Sequence, residues 1–364
     1  MADLFRDNVL GFIPQLDWLS VGFDVQRPGD PIDGLFGDEK TDNLVAYWQS
    51  IANEYNLPVM AQFHGFDVEA QKTFRVPVDT HNIEKGLIKV KLNQSERLRE
   101  LMRSGVQGEE AIYNYVMDDG LRLADQVVTR TKVAKNELMA TGKVTIKEND
   151  LDLTVDYGVP ADNLNRELDF GAGAAYSIPD QLQMLVDETT AKGVNLTGML
   201  LPRAILTKLR QNSAIQKAVN GVNMVGQLVR NSDLRAYMNE EYGIANIITN
   251  DLTYNVPGAM NASTKIPTLT AQRYFPANKV SFFATNNAGR VGAGLWGDPP
   301  EVDAARAFDG GVSASGESPY VYISQWGEKD PAVLWTKASA LFMPVLYNPN
   351  GLYVASVIET PKSA

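Results

Sequence analysis

The sequence predicts an α+β fold whose parts are spread out rather than wrapped around one core. Three observations predict it. Residues 1 to about 45 are broken by Gly, Pro and Asp, as in GFDVQRPGDPIDGLFGDEKTD, and read as an arm without regular elements. The stretch from Gly108 to Ala140 holds no Pro and only one internal Gly, Gly120, and reads as a single long helix. From residue 178 onward helical and strand-like segments alternate, and the chain closes on apolar strands. With 364 residues, 44% of them hydrophobic, the chain can bury a sizeable core.

The arm costs conformational entropy to order, so it is expected to bind something larger than its own domain. Residues 57–92 follow with β-prone runs, PVMAQF, KTFRVPV and LIKVKL, and read as an extended β-hairpin or loop. In the helix, Ile112, Val116, Leu123, Val127, Ala134 and Leu138 form one apolar stripe. Asp118, Arg122, Asp125, Lys132 and Asn136 lie off it and are expected to face water. Glu109 and Glu110 at the start, and Lys132 and Lys135 near the end, suit the helix dipole. A helix of this length spans about 50 Å, which suits an elongated or plate-like subunit.

The next segment, KVTIKENDLDLTVD, is a hairpin with its turn at Asn149-Asp150. That turn sets Lys147 against Asp152, Thr145 against Thr154 and Lys143 against Asp156 on one face. Ile146 meets Leu153 and Val144 meets Val155 on the other. Further on, IPDQLQMLVDETTAKG, PRAILTKLRQN and MVGQLVRNSDLRAYMNEEYG read as helices, and NLTGMLL, IANIITND and KVSFFAT as strands. Residues 255–278 read as a long polar loop. AVLWTKASALFMPVLYNPNGLYVASVIE reads as strand, turn at Asn350-Gly351, then strand packed into a sheet.

Composition excludes much chemistry. Without cysteine there is no disulfide, thiolate nucleophile or cysteine zinc site. The only histidines are His64 and His81. With Asp67 or Glu69 they have no recognised ligand spacing, so no metal site is expected. Asp150, Asp152 and Asp156 read as a solvated strand face paired with lysines rather than a cation site. No Gly-x-Ser-x-Gly elbow occurs. GAGAAY at 171–176 and GRVGAGLWG at 289–297 lack the context of a dinucleotide or phosphate loop. Asp118-Asp119 and Glu240-Glu241 are sequence neighbours, which diverge on a helix. No catalytic, cofactor-binding or metal residue is therefore assigned, and no cofactor. Trp296 and Trp326, set among Gly, Pro and charge, are candidates for core packing or for interface anchors. A net charge of −11 argues against tight nucleic-acid binding. No basic signal region begins the chain, and no apolar run approaches the ~20 residues of a membrane span, so a protein made in the cytoplasm with no membrane partner is expected.

Four segments in order resemble a known family. They are SERLRELMRSGVQGEEAIYNYVMDDGLRLADQVVTRTKVAKNELMATGKVTI, GMLLPRAILTKLRQNSAIQKAV, NKVSFFATNNAGRVGAGLWGDPPEV and LFMPVLYNPNGLYVASV. Together with the arm and loop they resemble the Hong Kong 97-type major capsid proteins of tailed bacteriophages, in the lambda capsid-protein-E-like branch. The likeness covers residues of about 90–360 in pattern. It implies a Hong Kong 97-type α+β fold with an N-terminal arm (1–54), an extended β-loop (55–92) and a peripheral domain with its spine helix (93–177). An axial domain (178–335) and return strands of the peripheral domain (336–364) complete it. The implied function is self-assembly into an icosahedral head shell around packaged DNA, without catalysis. Implied partners are copies of the chain in hexamers and pentamers, a scaffolding protein, a portal and a decoration protein, with DNA touched only weakly and non-specifically. Some relatives form a Lys–Asn isopeptide cross-link; Lys72, Lys85 and Lys89 carry no local motif for it, and none is expected. Two alternatives are an encapsulin-like cage and a soluble α/β enzyme with a carboxylate site. The arm and core-poor loop argue against the enzyme.

Overall fold

The computed structural model describes residues 29–51, 60, 78–94, 96, 108–148, 151–171, 174–221, 226–260, 267–302, 311–313, 320–330 and 332–359. In chain order it begins with α1 (Ile32–Leu35), β1 (Phe36–Lys40), β2 (Val45–Ile51), β3 (Val78–Glu84) and β4 (Gly86–Gln94). The long helix α2 (Gly108–Thr141) leads into β5 (Lys143–Glu148), β6 (Leu151–Asp156), α3 (Ala161–Leu164) and β7 (Arg166–Asp169). Then come α4 (Ile178–Ala191), β8 (Gly198–Leu201), α5 (Arg203–Gln211), α6 (Ser213–Asn220), α7 (Asn231–Tyr242) and β9 (Asn246–Thr249). The remainder is β10 (Thr253–Met260), β11 (Pro267–Arg273), β12 (Lys279–Phe283), β13 (Gly292–Gly297), β14 (Gly311–Ser313), β15 (Tyr322–Lys329), β16 (Ala332–Leu346) and β17 (Leu352–Ile358).

Two larger sheets organise these elements. One runs β7-β17-β12-β8-β9. The other is built on β16, which pairs with β4 along one edge and with β13 and β15 along the other; β1 and β14 extend it. Three two-stranded ribbons stand apart: β2-β3, β5-β6 and β10-β11. Helix α2 packs against β16 and β4 and reaches β12 and β17.

The five-stranded sheet separates two apolar cores. Along β17, Leu352 and Val354 enter the core shared with α2, while Tyr353 and Ala355 enter the core under α4–α7. Along β12, Phe283 faces the first core and Val280 and Phe282 the second. Strands covered on both faces read as continuous apolar runs, which is why KVSFF and LYVASV are so conspicuous in the sequence.

The long helix forms as its stripe predicts, with Leu123, Val127, Ala134 and Leu138 buried. Its C-terminal half differs from expectation on the other faces. Asn136, read as wet, is 0% exposed, and Lys135, singled out only for the helix dipole, is 1% exposed. The helix runs between a sheet and residues 29–38, so little of it meets water. Its end is capped from outside: Ser281 Oγ donates to Met139 O at 2.6 Å and Lys279 Nζ to Ala140 O at 2.8 Å. Gly142 then turns the chain with φ 69°. Burial pulls the Lys279 ammonium down from its ordinary value.

Other expectations need correction. Residues 29–40 are part of this chain's own core: Ile32, Leu35 and Phe36 are buried, and β1 pairs in parallel with β13. The Gly and Asp among them did not break regular structure, since Asp33 and Gly34 lie in α1 and Gly37 and Asp38 in β1; residues 1–28 lie outside the described residues. Strands β2 and β3 pair antiparallel, so this ribbon begins at Val45, ahead of the expected β-prone stretch, while most of PVMAQF and of KTFRVPV lies outside the described residues. LIKVKL is β4, as expected. Residues 253–260 and 267–273 are the paired strands of the β10-β11 ribbon, not a loop. Pro257 and Pro267 misled, because proline is tolerated on the edges of a two-stranded ribbon. Helix α7 starts at Asn231 rather than near Met224, since Gly226 has φ 101°, and α6 was not foreseen. Finally, the domain limits cut across the sheets. β13 to β15 join β16 in the sheet on α2, whereas β17 pairs with β12 and β7.

Candidate functional site

Three elements distant in sequence meet at a buried polar node. Asn136 of α2 donates from Nδ2 to Asp30 Oδ2 at 3.3 Å, and Asn250, just past β9, donates to Asp30 Oδ1 at 3.1 Å and to Asn136 Oδ1 at 2.9 Å. The backbone N–H of Ile32 caps Asp30 Oδ1 at 3.0 Å. Burial raises the Asp30 carboxyl above its usual value, against the lowering effect of these hydrogen bonds. At the preceding position of the helix Lys135 Nζ reaches Asp38 Oδ1 at 2.9 Å and Asp33 Oδ1 at 3.3 Å. Trp296 Nε1 donates to the same Asp38 oxygen at 2.9 Å. Every charge here is met, as burial requires. The node fixes residues 30–38 to both the long helix and the end of β9.

The ribbons are the opposite case. In β10-β11, nearly every described residue of β11 is exposed, and Leu269 is 62% exposed. In β5-β6 all five expected cross-strand pairs are present in register. Lys143 Nζ lies 2.7 Å from Asp156 Oδ2 and Lys147 Nζ 3.7 Å from Asp152 Oδ2. On the apolar face Val144 and Val155 are buried against the core, but Leu153 and Leu151 further out are exposed. A ribbon of two strands is marginal by itself in water. Such surfaces are suited to being covered by another chain.

The sequence's chemical candidates do not converge. His81 sits in β3, with Trp48 as its Cα partner, whereas His64, Asp67 and Glu69 lie outside the described residues. Among the described residues no three acidic or histidine side chains group as a metal site. Asp152 and Asp156 pair with lysines, and Asp150 lies outside the described residues. Asp119 is buried beside Gln94, while Glu240 and Glu241 are exposed on α7. A cleft of about 110 Å³ beside α2, lined by Asp30, Asp125, Lys132 and Tyr274, is smaller than ordinary small-molecule sites. GAGLWG is strand β13, not a phosphate loop.

Lys85 is locked: its Nζ donates to Thr41 O at 2.6 Å, to Thr41 Oγ1 and to Trp296 O at 3.0 Å, and burial lowers its ammonium from the ordinary value. Lys89 pairs with Glu301 at 2.8 Å, and Lys72 lies outside the described residues. Trp296, 1% exposed, is a core residue. Trp326 is partly exposed and stacks on Trp335 at 6.3 Å. The node itself was missed, because its members sit 106 and 114 positions apart and each looks polar and ordinary alone.

Residues 85–357 match the family model described as phage major capsid protein E. The chain belongs to that family. It is a shell-forming major capsid protein of tailed phages, located in the virion capsid and working as a homo-oligomer. No curated protein matches the sequence. Among solved structures, a protein of an Escherichia coli CFT073 prophage, described as a capsid protein, aligns with TM-score 0.55 at 13% identity. The alignment covers 94% of this chain and 97% of that one. The capsid of cyanophage A-1(L) aligns with TM-score 0.49 at 12% identity, over 95% and 96% of the two chains. The capsid protein has the Hong Kong 97-type fold, as its sequence segments led one to expect. The family's role is structural.

Proposed function

We propose that this capsid protein tiles an icosahedral head as hexamers and pentamers, and that its two-stranded ribbons are ordered there by neighbouring subunits. The observation that carries this is the exposure of β10-β11, together with the apolar outer half of β5-β6. The strands β2 and β3 belong to the extended loop, which reaches a neighbouring subunit. The sheet on α2 forms the peripheral body, and the five-stranded sheet under α4–α7 forms the axial body. A separate scaffolding protein guides assembly, a portal occupies one vertex, and a decoration protein binds outside. Packaged DNA meets the shell only by weak, non-specific contact, in keeping with a chain of charge −11. The subunit carries no catalytic role.

Negative-stain electron microscopy with sedimentation tests this on the full chain, alone and with neighbouring head genes co-expressed. Closed particles tens of nanometres across are expected. A persistent 40.0 kDa species with those partners present would overturn it.

A further inference from the structure

The chain's charge is segregated within its axial body. Residues 161–191 hold six acidic residues and one basic residue, a net of −5. Residues 198–238 hold six basic and one acidic, a net of +5. The structure turns each block into a surface. On α4, Asp180, Met184 and Asp187 follow a helical spacing and are exposed, Met184 at 49%. On the basic side, residues 226–230 fold back over α5 and α6. Val229 O accepts from Arg210 Nε at 2.7 Å, and Gln227 O from Asn220 Nδ2 at 3.2 Å. Arg210 is held against Val229 beside Leu228, which is itself 49% exposed; Arg230, two residues on, and Lys217, one helical turn before Asn220 on α6, are exposed as well. The two patches lie on different elements of the helical layer, the acidic one on α4 and the basic one on α6 and residues 226–230.

Each patch has an exposed apolar residue rimmed by charges of one sign, the composition of a protein contact. We propose that the α4 patch of one copy docks against the Lys217–Leu228–Arg230 patch of the next, as a head-to-tail contact within a capsomer. This rests on the shell reading above. A heterologous contact between unlike patches closes into rings, which a self-complementary patch does not. It also answers a physical problem: subunits of charge −11 repel, and association then needs local complementarity.

The test uses charge reversal in the full chain, read by particle yield in sedimentation and electron microscopy. Lys217→Glu with Arg230→Glu is one variant, Asp180→Lys with Asp187→Lys a second, and all four together a third. Each two-site variant is expected to cut particle yield at least tenfold, and the four-site variant to restore it to within about twofold. Wild-type yield from both two-site variants, or no restoration in the four-site variant, overturns the proposal. Circular dichroism checks folding. Should a reversal fail to fold, Lys217→Gln with Arg230→Gln replaces it: at least a threefold loss is expected, and an unchanged yield overturns the contact. Absence of particles from the wild type overturns the shell reading, and this proposal with it.

Discussion

Asn250 Nδ2 donates to Asn136 Oδ1 at 2.9 Å, tying the end of β9 to the long helix through two side chains 114 positions apart. Asn136 also holds Asp30 and the Lys132 carbonyl, and it is fully buried. Removing it strands partners that cannot turn to water, at about 1–3 kcal/mol for a buried group. Asn136→Ala is therefore expected to cost about 3 kcal/mol in denaturant unfolding of the soluble subunit. Asn250→Ala combined with it should cost less than the sum, because the two share bonds. Strict additivity would show that the node is not a unit.

The β5-β6 hairpin makes a contrasting prediction. The Lys143–Asp156 pair is short, but both side chains are about half exposed. Such pairs contribute about 0–1 kcal/mol. Lys143→Ala should therefore change unfolding by less than about 1 kcal/mol. Val155→Ala, on the buried face at 5% exposure, should cost about 2 kcal/mol. The reverse order of effects would mean that the rungs, not the core face, hold the ribbon.

That hairpin was legible rung by rung because a two-residue turn and period-two patterning leave one register. The long helix was legible because its stripe repeats over many turns. Residues 29–40 were not, since their one short apolar group, Ile32, Leu35 and Phe36, is buried by elements hundreds of positions away. Asn136 and Lys135 lay off the stripe, and only the chain crossing over them buries them. GAGLWG is a buried strand, and its glycines were a usable signal of close strand packing that the sequence reading did not take up.

Acid should weaken the fold through Glu301. Burial alone would raise its carboxyl, but hydrogen bonds from Lys89 and Lys337 outweigh this and hold it at about 2, below the ordinary 4.5. A depressed carboxylate contributes stability that is complete above its unfolded value and lost as pH falls through the folded one. The loss should therefore appear between about pH 4.5 and 2. Glu188, held at about 2 by Arg166 and Lys192 despite partial burial, has the same sign. Melting curves across this range should flatten partly, not wholly, in Glu301→Gln. An unchanged slope would remove Glu301 from the acid response.

Truncation tests the proposed arm. Deleting residues 1–28 should leave a cooperatively folding subunit that no longer forms shells. Deleting residues 1–40 removes Ile32, Leu35 and Phe36 from the core and strand β1 from its sheet, and should leave insoluble or molten protein. Normal particles from the shorter truncation would deny the arm its role in assembly.

Gly292 offers a stringent check on the packing of the sheet over α2. It pairs with Phe36 of β1 on one side and with Leu346 of β16 on the other. A Cβ there would lie 2.1 Å from the Val345 carbonyl oxygen and 2.7 Å from the Phe36 ring. No rotamer change relieves a clash with backbone, so β13 or β16 would have to move. Moving β13 would carry Trp296 and its bond to Asp38 with it, and so loosen residues 30–38. Gly292→Ala is therefore expected to cost about 3 kcal/mol or more, against less than about 1 kcal/mol for alanine at Gly327, whose nearest atom would be 4.0 Å away. Tryptophan fluorescence should report the Gly292 change as a shift toward a wetter indole. Equal stability of the two variants would mean that β13 does not sit between β1 and β16 as described.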